Sequence, residues 1–161
     1  MKSIKDIYTL LNEVKDPEIP VLTVNDMGII RDVNWNNDVL EITITPTYTG
    51  CPAMDLIESQ IKEELDKHDL KKHSVLTTLS PPWSTDWITE DGLKKLEEFG
   101  IAPPVKGTAD KRALFAEPPK PKCPYCKSEK TVMISAFGST ACKSQYKCKS
   151  CLEPFDYFKC I

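Results

Sequence analysis

Two C-x-x-C pairs, Cys123-Pro-Tyr-Cys126 and Cys148-Lys-Ser-Cys151, constrain this chain more than any other feature. Two residues between cysteines let both thiolates reach one ion from a tight turn. Two such turns supply the four ligands of a tetrahedral site. The 21 residues between Cys126 and Cys148 slightly exceed the usual gap of about 15–20. They leave room for a hairpin, with Thr131 to Phe137 as one strand and Ser144 to Lys147 leading into the second pair. Six of the seven cysteines lie between Cys123 and Cys160, and only Cys51 lies outside. No apolar run reaches the length of about 18 that a membrane span needs, and the N-terminus has no signal-peptide stretch. The expectation is a cytoplasmic protein with no membrane partner. That compartment keeps thiols reduced, so the clustering points to metal before disulfides. A module of about 40 residues cannot bury enough surface alone, which makes structural zinc the first reading. Iron in the same tetrathiolate, or an iron–sulfur cluster, stays open as an alternative.

Charge bears on partners. Residues 1–101 carry a net −9 and residues 102–161 a net +6, for −3 in all. From 123 to 161 there are six lysines and three acids. Four thiolates around a divalent ion bring that module close to neutral, which leaves little to drive counterion release. A zinc-ribbon nucleic-acid adaptor is therefore a minor alternative.

Ahead of the cysteines the chain reads as an α+β domain. Ser3-Ile4-Lys5-Asp6 resembles a capping box, and Ile4, Ile7, Leu10, Leu11 and Val14 recur at helical spacing. Residues 17–28 read as a loop. Ile29 to Trp35 and Asp38 to Thr45 read as strands joined by Asn36-Asn37, with Leu40, Ile42 and Ile44 on the buried face. A helix follows Pro52 with Met54, Ile57, Ile61 and Leu65 as its stripe. A third strand covers about 73–79, and a last helix about 89–99 with Gly100 as C-cap. The expected fold is a compact α-β-β-α-β-α domain over 1–101. A Pro-rich linker over 102–122 and a zinc-ribbon-like module over 123–161 complete it.

Cys51 sits between Gly50 and Pro52 at a loop-to-helix junction, where a helix N-terminus favours thiolate. Threonines 45, 47 and 49 could hydrogen-bond a bound anion or sulfur; the plain alternative is a buried structural cysteine. Asp16, Glu18 and Asp26 form an acidic loop set, whose plain alternative is solvated carboxylates and helix stops. Cys142 and Cys160 are either small buried hydrophobes or a second, labile thiol site. Neither His68 nor His73 has a nucleophile partner. The chain shows no nucleotide loop, general-base pair or flavin motif, so it is not expected to be an enzyme.

Three stretches, Asp16-Pro17-Glu18-Ile19-Pro20, Val24-Asn25-Asp26-Met27-Gly28-Ile29-Ile30 and Thr45-Pro46-Thr47-Tyr48-Thr49-Gly50-Cys51-Pro52, resemble the metal-sulfur cluster assembly domain family related to SufT. Phe137-Gly138-Ser139-Thr140-Ala141-Cys142-Lys143 and the ending from Cys151 to Ile161 are more specific. They resemble the D-subunit family of phenylacetyl-CoA epoxidase, and that resemblance covers nearly the whole chain. It implies a non-catalytic accessory protein of aerobic phenylacetate degradation. Such a protein would assist iron–sulfur or di-iron loading of the oxygenase or of the iron–sulfur reductase component, which are then its expected partners. A transient iron–sulfur cluster, a homodimer and a stoichiometric structural subunit role stay open. By position, Cys51 matches the family's functional cysteine, and Asp16, Glu18 and Asp26 match its acidic loop. Cys123, Cys126, Cys148 and Cys151 match its metal knuckles, whereas Cys142 and Cys160 receive no role.

Overall fold

A computed structural model describes residues 2–105 and 117–159. The chain divides into two compact units, Met1–Trp83 with Trp87–Gly92, and Ser84–Asp86 with Leu93–Ile161.

The first unit opens with α1, Ile4–Leu11. Ser3 and Asp6 close a reciprocal capping box, and Ile7 and Leu11 are buried. The helix stops before Val14, which is nevertheless buried in the loop that follows. That loop is more ordered than its prolines predict. Lys15 bridges to Thr23, the Asp16 amide donates to the Leu22 carbonyl, and Ile19, Leu22, Val24 and Met27 all enter the core. β1, Ile30–Asn36, and β2, Val39–Ile44, form an antiparallel hairpin. Its turn residues are Asn37 and Asp38, both at positive φ, the signature of a type I′ turn. The turn thus lies one residue later than the Asn36-Asn37 expectation. Leu40, Ile42 and Ile44 are each fully buried, as period-two alternation requires. α2, Ala53–Lys67, lays Ala53, Ile57, Ile61 and Leu65 inward at four-residue steps. It returns the chain to β3, His73–Thr77, which pairs parallel to β2, so the sheet order is β1-β2-β3. Gly28 at φ +65° lies under Trp87; a Cβ there would stand 2.5 Å from the Trp87 carbonyl oxygen. Arg31 stacks over the Trp87 ring at 3.4 Å.

α3, Glu90–Glu98, carries the chain from the first unit into the second and ends at Gly100, φ +87°. β4, Ile101–Ala102, pairs parallel with β7, Pro154–Phe158. With β5, Thr131–Ser135, and β6, Lys143–Cys148, they make a sheet in the order β4-β7-β6-β5. Residues 101–102, the boundary between the expected domain and linker, are thus a strand of the ribbon sheet. The rest of the linker's described ends are also tied to this unit. Val105 N–H donates to the Tyr157 hydroxyl at 3.2 Å. Tyr146 donates to the Pro119 carbonyl at 2.7 Å, and Thr131 to that of Pro121 at 2.7 Å. Its middle, 106–116, lies outside the described residues. Ala102, Tyr146, Phe155 and Tyr157 form the core of this unit together with Cys123 and Cys148. Tyr146 stacks on Phe155 and meets Tyr157 edge-on; burial pushes the Tyr146 hydroxyl up to about 12.

Candidate metal centre and cysteine loop

The four knuckle sulfurs converge. All ligand atoms of Cys123, Cys126, Cys148 and Cys151 lie within 4.8 Å of one another. Cys123 and Cys151 Sγ are 3.7 Å apart, and Cys126 and Cys148 Sγ 3.5 Å apart. Four sulfurs about 2.3 Å from one tetrahedral ion stand about 3.8 Å from each other, so the donor set fits a single ion. A cluster would spread its thiolates over several irons and hold them further apart.

Local backbone builds each knuckle. In the first, Lys127 N–H returns to the Cys123 carbonyl and Cys123 N–H to that of Ser128, both at 2.9 Å. In the second, β6 ends at Cys148, and the Ser150 and Cys151 amides point at its sulfur at 3.3 and 3.5 Å. The residue after each second cysteine, Lys127 or Leu152, adopts positive φ. The same left-handed step therefore closes both turns without glycine. The Cys151 amide leads in holding the Cys148 thiol down, to about 6, with help from Ser150 against burial. The Glu153 amide pulls the Cys151 thiol down, but burial and the crowding sulfurs of Cys126, Cys148 and Cys123 push it up to about 12. Four thiols this close cannot all ionise without a counter-charge, and a divalent cation supplies it. Cys123 and Cys148 are fully buried, whereas Cys126 is exposed and Cys151 partly so.

Cys51 lies apart from this centre, in the first unit, just ahead of α2. Its amide donates to the Tyr48 carbonyl at 3.2 Å, and its carbonyl accepts from Met54 at 3.2 Å. The thiol is partly exposed, with the Thr47 hydroxyl at 4.0 Å. Gly50, φ +78°, has open space where a side chain would stand. Pro52 caps α2 with no side-chain hydrogen bond. Thr45 is 1% exposed, and its hydroxyl has no partner among the described residues.

Asp16 and Asp26 are buried and close turns of their own loop. Asp16 accepts from the Glu18 and Ile19 amides, both at 2.8 Å. Asp26 accepts from the Thr23 amide at 3.0 Å and the Thr89 hydroxyl at 3.3 Å. The cleft beside Asp16 is walled by Gln60, Glu63, Glu64 and Lys67 of α2, and Cys51 is not in its lining. Cys142 is buried at the start of β6, with Thr140 Oγ1 3.0 Å from its sulfur and Lys159 N–H on its carbonyl. Cys160 lies outside the described residues.

Family models match both units in turn: an iron–sulfur cluster assembly protein model over residues 4–76 and a PaaD zinc beta ribbon domain over 107–159. An Escherichia coli (strain K12) protein, named as the D component of a "Putative 1,2-phenylacetyl-CoA epoxidase", is 44% identical over 98% of this chain and 93% of its own length. The chain belongs to the PaaD family. Its PaaD ribbon contains all four knuckle cysteines, and the assembly-type unit contains Cys51. An Fe-S protein maturation auxiliary factor of Porphyromonas gingivalis is 33% identical over 57% of this chain and 89% of its own. A DUF59 domain of unknown function from Bacillus anthracis superposes with a TM-score of 0.53 at 28% identity, covering 57% of this chain and 89% of its own. Among the described residues no helix is long and apolar enough to cross a membrane.

Proposed function

We propose that this PaaD-family chain is a non-catalytic, cytoplasmic maturation factor that handles iron–sulfur or di-iron cargo for components of a phenylacetyl-CoA epoxidase. One observation carries the reading. Within a unit matched by an iron–sulfur assembly model, Cys51 is partly exposed beside the open space at Gly50 and the uncapped start of α2. The positive end of a helix favours thiolate and anionic sulfur, and the orphaned Thr45 hydroxyl, in the segment leading to this loop, is a donor awaiting an acceptor. Asp16 and Asp26 hold the preceding loop in shape, and with Glu18 they are the carboxylates that would assist Cys51 in handling the cargo. Cys123, Cys126, Cys148 and Cys151 hold structural zinc, which supplies folding energy to the ribbon and no chemistry.

Cys51→Ser tests this. The variant should fold, keep its zinc by elemental analysis, and fail to yield fully metal-loaded epoxidase in a reconstituted maturation assay. Full maturation by the folded variant would refute the role of the thiol.

The name of the Escherichia coli relative, as a component of the epoxidase, favours a second reading, a stoichiometric structural subunit. Maturing the oxygenase with this protein, removing it and assaying separates the two. Retained activity supports maturation, and lost activity supports a structural role in the complex.

A further inference from the structure

The ribbon sheet buries Phe158, paired with Lys143, on one face and packs its aromatic cluster on the other. Tyr146, Phe155 and Tyr157 point there. Lys143, Gln145 and Asp156 alternate with them and therefore project from the opposite face, where the register pairs Gln145 with Asp156. A groove of about 360 Å³ lies on this face, lined by Phe99, Tyr125, Ile134, Lys143, Gln145 and Asp156 among others of the same unit. Phe99, Tyr125 and Ile134 are more than half exposed.

Lys143 is unlike them, since it is only 6% exposed. The Gly138 amide donates to its carbonyl at 2.7 Å, and Gly138 covers its stem so closely that a Cβ would stand 3.3 Å from the Lys143 Cβ. Among the described residues its ammonium has neither hydrogen bond nor ion pair, and Asp156 is not within ion-pair distance of it. The Lys143 ammonium is not among the fully enclosed unpartnered atoms, so it keeps access along the groove that Lys143 lines, and an anion can reach it there.

We propose that this groove binds a small monocarboxylate carried on an apolar body. The carboxylate meets Lys143, with the Gln145 amide as a second donor, and the apolar body lies against Phe99, Tyr125 and Ile134. One cation suits one carboxylate. Asp156, in the same wall, opposes any anion but repels a dianion such as phosphate about twice as strongly as a monocarboxylate. The volume falls at the small end of organic-ligand sites, which run from about 300 to 1,000 Å³. This site uses neither Cys51 nor the knuckle metal, so it stands independently of the maturation role.

The test uses the full-length zinc-loaded protein and amide NMR spectra titrated with hexanoate and 3-phenylpropionate. Neutral 3-phenylpropanamide, inorganic phosphate and an acidic peptide serve as the contrasting probes. Both acids should shift the Tyr125, Lys143 and Gln145 amides saturably, with affinity about tenfold or more above that of the amide or phosphate. Lys143→Met should lose that affinity, because it deletes the cation that meets the carboxylate. Tyr125→Ala, at the exposed rim, should weaken binding without disturbing the fold, and it decides the matter if Lys143→Met does not fold. The proposal is overturned by no saturable response to either acid, by equal affinity for acid and amide, or by a response to the acidic peptide alone. Unchanged affinity in Lys143→Met, or in Tyr125→Ala where that variant must decide, overturns it as well.

Discussion

Gly28 shows how much one missing side chain can fix. It holds φ +65°, and a Cβ would press to 2.5 Å from the Trp87 oxygen and 2.7 Å from the Trp87 Cβ. All three nearest atoms belong to Trp87, two of them backbone, so no flexible side-chain end can move aside. Gly28→Ala should therefore cost about 2 kcal/mol or more through strain and clash together, read as a lower denaturant midpoint with unchanged slope. A cost near zero would mean that the Trp87 segment shifts freely. In the sequence the Met27-Gly28 pair is part of a loop and of one family-like stretch, with nothing to say why glycine is needed. Its requirement for glycine comes from a residue 59 positions away, which no local pattern encodes. Lys143 was hidden for a similar reason. In sequence it is one lysine among several, and only the sheet register and the cover by Gly138 set it apart.

At the scale of elements, α2 carries its own acid sensitivity. Glu64 is buried on the helix, accepts from Lys67 at 2.9 Å and lies 3.2 Å from the His68 ring nitrogen. The hydrogen bond from Lys67 leads in holding its carboxyl below the usual range. The folded pKa is thus lower than the unfolded one. The interaction stabilises the fold above the unfolded glutamate's titration near about pH 4.3, and that stability is lost as pH falls through the lower folded value. Between about pH 5 and 3, the thermal midpoint of the parent should drop more steeply than that of Glu64→Gln. Parallel curves would remove Glu64 from the acid response. α2 was legible because Ile57, Ile61 and Leu65 repeat at four-residue steps. β7 was not, since Phe155-Asp156-Tyr157-Phe158 does not keep the strict apolar-polar alternation that announces a strand. β4 is two residues long and is followed by Pro103-Pro104, so its pairing could be found only in three dimensions. The knuckles themselves were fully legible, because ligand spacing is a local property. The left-handed steps at Lys127 and Leu152 were not, because neither residue is the glycine or asparagine that usually announces one.

For the whole molecule, two units with separate cores imply separable stability. Removing the metal with a strong chelator should abolish amide-exchange protection in β5, β6 and β7, since the sulfurs of Cys123 and Cys148 lie in that core. α1, β1, β2 and α2 should keep their protection. Cys126→Ser should act in the same direction. Loss of protection in α2 as well would show that the first unit depends on the second. The expected cut between units also moves. Because α3 passes into the second unit at Leu93 and β4 belongs to the ribbon sheet, an excised module should start before Leu93 and not at Cys123.

The sheet order has one more consequence, for the order of events during synthesis. β4 pairs with the last-made strand, joining Ala102 to Tyr157 across 55 residues of sequence. β6 also takes β7 as its neighbour, and the second knuckle lies between those two strands. A ribosome therefore releases β4 well before its partner exists, whereas β5 meets β6 soon after. Long loop closure makes such pairing slow, while the first unit, whose elements precede it, can fold early. Until β7 emerges, β4 has no neighbour and the sheet cannot close. A nascent chain stalled after Cys151 would carry all four thiols yet expose the apolar surface that β7 covers, a species that chaperones and proteases can tell from the finished molecule.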